Sequence, residues 1–141
     1  MRATMLRELI GERCLACGVA GAALCLSCRA SLHRCAEGPL PAGVSSVSAQ
    51  WCYEGAARAL VLALKLRGLR SAAIPLVEGM VGATRRDGLG GAVVTWVPGR
   101  RRDIAARGFD HAELLARGLA RELGLRPRPL LRRRQTGQDQ T

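Results

Sequence analysis

Two cysteine pairs near the N-terminus constrain the fold of this 141-residue chain most. They are Cys14-Leu-Ala-Cys17 and Cys25-Leu-Ser-Cys28, and seven residues separate them. Cysteines two residues apart can direct both thiolates at one cation, and two facing turns of this kind make a tetrahedral four-sulfur site. Because four thiolates leave no coordination position open, the pattern predicts a structural zinc ion in a compact ribbon or knuckle.

Other interpretations of the cysteines stay open at this point. The pairs are closer together than the spacing of about 15 to 20 residues that is usual for paired zinc ligands. A redox dithiol and buried unligated thiols do not account for two matched pairs, and an iron–sulfur cluster is a minor option. Outside the pattern, we expect Cys35 and Cys52 to be buried small apolar groups and His33 to be a surface imidazole. The alternative is that His33 or Cys35 substitutes for one zinc ligand.

The chain is strongly basic, and its basic side chains are almost all arginine. It has 22 basic and 11 acidic residues, a formal net charge of +11, and Lys65 as its single lysine. An arginine excess fits phosphate recognition, because the guanidinium group pairs with two phosphate oxygens. A GC-rich gene produces the same bias, so both interpretations stay open.

The sequence predicts a cytoplasmic protein without a membrane span. The first 13 residues lack the apolar run and cleavage site of a signal peptide. No stretch approaches the roughly 18 to 20 apolar residues that cross a bilayer. In a reducing compartment, paired cysteines indicate metal ligands before disulfides.

A stretch rich in glycine and proline at 37–43 predicts a boundary between a zinc module with its linker, 1–41, and a larger domain, 42–141. Apolar periodicity in the larger domain predicts alternating strands and helices. The predicted strands are 47–53, 92–97 and 128–131, and the predicted helices are 57–67, 72–87 and 110–123. This order predicts an α/β fold with a parallel sheet and flanking helices.

A second candidate site follows the strand at 92–97. There Pro98 closes a buried strand, an arginine-dense loop follows, and Asp110 begins a helix. Backbone amides at the helix N-terminus and the basic loop would bind an anion at the carboxyl edge of a parallel sheet. The alternative is a solvated loop. The candidate residues are Arg100, Arg101, Arg102, Arg107 and Gly108.

Four motifs in this order resemble the ComF family, competence-associated proteins similar to amidophosphoribosyltransferases. The motifs are the cysteine pairs, the block Tyr53-x-Gly55-x-x-Arg58-x-Leu60-x-x-x-Leu64-Lys65, Val97-Pro98, and Arg107-Gly108-Phe109. The resemblance runs from about Cys14 to Gln138. It implies that 42–141 is the N-terminal part of a type I phosphoribosyltransferase fold and that the loop after Val97 binds diphosphate.

This sequence departs from the family pattern in two places. The family usually reads Arg-Gly-Phe-Asn-Gln where this chain has Asp110 and His111. The chain also lacks the apolar strand, acidic pair and Thr-Thr-Gly turn that hold phosphoribosyl diphosphate in such enzymes, and Gln135-Thr136-Gly137 follows three arginines instead.

The resemblance therefore implies a truncated phosphoribosyltransferase-like protein of the glycosyltransferase class that is inactive by itself. Phosphoribosyl diphosphate and Mg²⁺ would bind only to a complete domain. The alternative is a zinc-containing accessory protein that binds nucleic acid during DNA uptake. In that case binding would weaken steeply with salt, because phosphate contacts release counterions.

Overall fold

The structure is a computed structural model that describes residues 11–36, 38–87 and 92–134. The chain divides into two units, Met1–Gly90 and Gly91–Thr141. The described residues contain five α-helices: α1 Leu26–Ala30, α2 Gly55–Lys65, α3 Ala73–Asp87, α4 Arg101–Arg107 and α5 His111–Leu123. A 3₁₀ turn, Arg70–Ala72, leads into α3.

The predicted parallel sheet is absent from the described part of the chain. Backbone β-pairing there consists of two isolated bridges, an antiparallel one between Arg13 and Ala20 and a parallel one between Val94 and Pro127. None of the three predicted strands belongs to a ladder. The predicted α/β class, with its incomplete type I phosphoribosyltransferase-like sheet, is therefore wrong, and helices are the regular elements of the described residues.

The predicted strands fail because none finds a hydrogen-bonding partner of matching length. The run at 92–97 makes one backbone–backbone hydrogen bond to another described segment, from the Arg128 amide to the Val94 carbonyl at 2.9 Å. A second bond from that segment, from the Leu130 amide, goes to the side-chain hydroxyl of Thr95 at 3.3 Å. Val93 and Val97 stay 51% and 64% exposed. Residues 47–53 belong to the other unit. A continuous apolar run is buried on both faces only inside a sheet whose two faces are covered by other elements, and the run at 92–97 belongs to no sheet of the described residues.

The core of the first unit is built on α2 and α3. Leu60 and Leu64, one helical turn apart on α2, are 0% and 1% exposed. On α3, Val77 and Val81 repeat the same spacing and are buried. Each helix thus presents one apolar stripe, as the periodicity predicts. Both predicted helices are confirmed, although α3 begins at Ala73 after the 3₁₀ turn.

The indole of Trp51 lies against the backbone of α3 at Gly79. A Cβ atom added to Gly79 would lie 2.6 Å from Cη2 and 2.8 Å from Cζ2 of the ring. Real side chains do not approach so closely, so the ring occupies space that only glycine leaves open. This contact anchors the segment that carries Cys52 onto α3.

In the second unit, Asp110 caps α5 as predicted. Its carboxylate accepts hydrogen bonds from the backbone amides of Ala112 at 2.9 Å and Gly99 at 2.7 Å. Gly124, with φ of 67°, ends the helix in the left-handed conformation that glycine adopts readily. The predicted helix at 110–123 is therefore confirmed.

The predicted arginine loop between Gly99 and Gly108 is wrong, because α4 forms there. The segment Arg101–Arg107 consists mostly of arginine and alanine, which favour helix. Gly108, with φ of 76°, donates its amide to the Ile104 carbonyl at 2.8 Å and ends α4. Gly108, which suggested a loop, therefore ends a helix.

The predicted boundary at residue 41 stays a prediction. Several contacts within the first unit cross that point. Arg29 on α1, for example, pairs with Glu78 on α3 at 2.8 Å.

Candidate metal centre

The first cysteine pair lies on a tight reverse turn. The Cys14 amide donates to the Val19 carbonyl at 2.7 Å, and the Gly18 amide donates to the Cys14 carbonyl at 2.8 Å. Gly18 has φ of 79°, so the chain reverses directly after Cys17 through a conformation that suits glycine. The turn places the Cys14 and Cys17 sulfurs within 4.8 Å of each other.

The second pair lies at the beginning of α1. Cys25 is the N-cap residue, and Cys28 lies in the first turn. Residues three apart on a helix share a face, and the positive end of the helix dipole favours thiolates there. The Leu15 amide donates to the Ala23 carbonyl at 3.0 Å and ties the first turn to the segment before α1.

These local structures bring all four predicted sulfurs together. The Sγ atoms of Cys14, Cys17, Cys25 and Cys28 all lie within 4.8 Å of one another. Cys17 Sγ and Cys25 Sγ are 3.6 Å apart. In a tetrahedron with zinc–sulfur bonds of about 2.3 Å, the sulfurs are about 3.8 Å apart. The cluster can therefore hold a metal ion, and its donor set and spacing fit zinc.

Two of the four thiols ionise more readily than an ordinary cysteine. Burial opposes ionisation of Cys14, but the backbone amides of Cys25, Cys17 and Ala16, together with the Cys17 thiol, outweigh it and lower the pKa from 9.0 to about 6. The backbone amide of Cys28 lowers the pKa of Cys25. The Cys25 side chain nevertheless makes no capping hydrogen bond at the start of α1. These backbone groups therefore favour negative charge at the cluster.

The other two thiols resist ionisation. The neighbouring sulfurs of Cys17 and Cys25 raise the pKa of Cys28 to about 12. At Cys17 the Val19 amide lowers the pKa, but the Cys14 and Cys25 sulfurs oppose it and the net shift is upward. Four thiolates in such a small volume repel one another unless a cation lies between them. A divalent ion would relieve this repulsion.

The five residues predicted to bind diphosphate all lie on or beside α4. Arg100 is its N-cap residue, Arg101 and Arg102 begin it and are exposed, Arg107 ends it, and Gly108 follows. Arg102 Nε lies 3.6 Å from a carboxylate oxygen of Asp103, and Arg107 Nη2 lies 3.3 Å from Nδ1 of His111.

The arrangement around α4 differs from the predicted anion loop. Successive helical residues diverge by about 100°, so Arg101 and Arg102 do not share one direction. The amide of Ala112, at the start of α5, already donates to Asp110. The diphosphate role of these residues stays a prediction.

Cys35 and Cys52 form a disulfide with Cα atoms 4.8 Å apart. Cys35 is exposed and Cys52 is half-buried, so the prediction that both are buried apolar thiols is wrong. Their segments meet because the Cys52 amide donates to the His33 carbonyl at 2.9 Å, a contact that no local pattern indicates.

His33 is exposed, as predicted, and lies beside a residue that the sequence analysis missed. Its Nε2 atom is 2.6 Å from Oε1 of Glu54. Neither His33 nor Cys35 joins the four-cysteine cluster in the described residues. The candidate ligands of this site are therefore the four cysteine sulfurs.

No family model, curated protein or solved structure matches this chain. The resemblance to the ComF family therefore rests on its sequence motifs and stays a prediction. Among the described residues, no helix combines the length and apolar character needed to cross a membrane.

Proposed function

We propose that Cys14, Cys17, Cys25 and Cys28 bind one structural zinc ion that organises the N-terminal part of the first unit. The observation that carries the proposal is the convergence of all four sulfurs within 4.8 Å. Zinc favours tetrahedral thiolate sites, and four protein ligands leave no position for water or substrate. The ion therefore stabilises structure and takes no part in a reaction.

The segment around the cysteines needs such a ligand because its own apolar core is small. Between residues 11 and 36, its regular structure is the five-residue α1 and one isolated bridge. Its buried apolar residues are Cys14, Ala23 and Leu24. So small a core does not offset the entropy of ordering the chain, whereas structural zinc supplies folding free energy directly.

Cobalt(II) substitution tests both the ligand set and the geometry. Four thiolates around cobalt should give intense visible bands of a tetrahedral site and strong thiolate charge-transfer absorption. Cys17→Ser should weaken both, whereas Ser27→Ala, a change at an exposed position between two ligands, should leave both unchanged. An octahedral spectrum, or no change in Cys17→Ser, would refute the four-thiolate site.

We extend the proposal to a cytoplasmic, ComF-like protein of the phosphoribosyltransferase family that performs no phosphoribosyl transfer by itself. The order of the motifs supports the family, and the missing acidic pair and Thr-Thr-Gly turn support the lack of activity. In the enzymes that the motifs resemble, those groups hold the ribose and its phosphate. Incubation with phosphoribosyl diphosphate, Mg²⁺ and nucleobases should release no more diphosphate than a boiled control, and turnover would refute this part.

A second candidate function is nucleic-acid binding, which the exposed arginines of the second unit favour. They are Arg101, Arg102, Arg117, Arg121, Arg126, Arg128, Arg132, Arg133 and Arg134. Affinity for duplex DNA that falls steeply as salt rises would support this function, because each neutralised phosphate releases counterions. No binding even at low salt would exclude it.

A further inference from the structure

A second group of metal-binding side chains lies in the first unit and shares no residue with the four-cysteine cluster. It consists of His33, Cys52 and Glu54, whose ligand atoms all lie within 4.8 Å of one another. The donors are one imidazole nitrogen, one sulfur and one carboxylate oxygen. Zinc accepts all three donor types.

The backbone holds these three residues in place before any ion binds. The Cys52 amide donates to the His33 carbonyl at 2.9 Å, and the Glu54 amide donates to the Cys52 carbonyl at 2.9 Å. Glu54 is also the N-cap residue of α2. Trp51, against the backbone of Gly79, anchors the adjacent position. Binding therefore orders little additional chain, which favours affinity.

The His33 ring is oriented as in many metal-binding histidines. Its Nδ1 atom lies 3.4 Å from the Ser31 carbonyl oxygen, and Nε2 lies 2.6 Å from Oε1 of Glu54. Because Nδ1 faces a backbone carbonyl, Nε2 is the ring nitrogen on the side of Glu54, and it can bind a metal once it carries no proton. This nitrogen and the Glu54 carboxylate oxygen are in direct contact, so a zinc ion bound to both would displace the proton between them and move the two exposed side chains slightly apart.

The sulfur of this group is engaged elsewhere. Cys52 is joined to Cys35, and a disulfide sulfur lacks the negative charge of the thiolate that binds zinc. We propose that His33, Cys52 and Glu54 form a second zinc site, closed while the Cys35–Cys52 disulfide is intact and open when it is reduced. Three protein ligands leave one coordination position for water.

Reduction requires an external reductant, for which we propose a small dithiol. Its thiolate attacks one disulfide sulfur, the sulfur–sulfur bond breaks through a mixed disulfide, and the dithiol is released as its own disulfide. Two electrons and two protons pass to Cys35 and Cys52. Zinc then displaces the proton of the Cys52 thiol into solvent.

The disulfide is accessible to such a reductant. Cys35 is exposed and borders an open cavity of about 220 Å³, whose other lining residues include Arg34, Val47 and Ala49. A small dithiol can therefore reach the Cys35 sulfur without unfolding of the chain. The cluster is also exposed, because the side chains of His33 and Glu54 are 59% and 63% accessible.

Two matched variants of the full chain test the proposal by zinc titration with native mass spectrometry. Cys35→Ser and Cys52→Ser both remove the disulfide, but only Cys52→Ser removes a ligand of the second site. Cys35→Ser should bind about two zinc ions per chain, and Cys52→Ser and the oxidised wild-type chain about one. Adding His33→Ala to Cys35→Ser should return the number to about one.

If Cys35→Ser and Cys52→Ser bind equal numbers of zinc ions per chain, the proposal is overturned, because the Cys52 sulfur would then make no difference to zinc binding. In the same mass spectra, zinc bound at the four-cysteine cluster shows that this part of each variant is folded. If a variant does not fold, the wild-type chain with and without a phosphine reductant replaces it. Reduction must then add a second ion, and no gain in the reduced chain would refute the site.

Discussion

The zinc affinity of the four-cysteine cluster should depend steeply on pH. Zinc binds thiolates, so each thiol that is protonated in the metal-free chain must lose a proton on binding. Near neutral pH, Cys14 is largely ionised because its pKa is about 6. Cys17, with a raised pKa, and Cys28, with a pKa of about 12, are protonated. Cys25, whose pKa is lowered, contributes up to one further proton.

These protonation states set the magnitude of the effect. Binding releases between about two and about three protons near neutral pH, so affinity rises about 10²- to 10³-fold for each pH unit. Lowering the pH from about 8 to about 6 should weaken binding by about 10⁴- to 10⁶-fold. Zinc affinity must fall as the pH falls, because protons compete with zinc for the same sulfurs.

Competition with a chromophoric chelator of calibrated pH dependence measures this slope in the oxidised chain, where the second site is closed. Ser27→Ala serves as a control that should reproduce the wild-type slope. A slope below about tenfold per pH unit would refute the reasoning, because fewer than one proton would then be released.

Two further predictions concern the packing of each unit. Gly79→Ala should destabilise the first unit by about 1–3 kcal/mol, since its new methyl group overlaps the Trp51 ring. Gly82→Ala on the same helix should be neutral or stabilising by up to about 1 kcal/mol, because its methyl group meets only Gln50 at 3.6 Å or more; equal losses in urea unfolding would contradict this. Asp110→Ala should cost the second unit about 2 kcal/mol through the lost cap and an unsatisfied amide. Asp110→Asn, which keeps an acceptor oxygen, should lose less unfolding free energy than Asp110→Ala. An equal loss in the two variants, measured by following unfolding with circular dichroism, would disprove the capping role.

Sequence reasoning succeeded where the governing interactions are local. The spacing of Cys14 and Cys17 predicts a turn that directs two sulfurs at one point, and the structure brings the second pair to the same place. Asp110 and Gly124 mark the ends of α5 because capping depends on a few neighbouring residues. Helix periodicity likewise located α2.

The sheet could not be predicted correctly because strands depend on partners distant in sequence. The apolar run at 92–97 indicates burial, but periodicity says nothing of which segment would hydrogen-bond to it. The disulfide and the second cluster were missed for the same reason. Cys35 and Cys52 are 17 residues apart, and tertiary packing rather than spacing brings them and Glu54 together.

The most direct test of the central claim is the zinc content of the full chain, purified without added reductant. We predict about one zinc ion per chain in the wild type and in Ser27→Ala, and almost none in Cys14→Ala or Cys28→Ala. Removal of zinc by a chelator should also unfold the segment around the cysteines. A metal-free chain that keeps this segment folded, or unchanged zinc content in both cysteine variants, would contradict the structural zinc site.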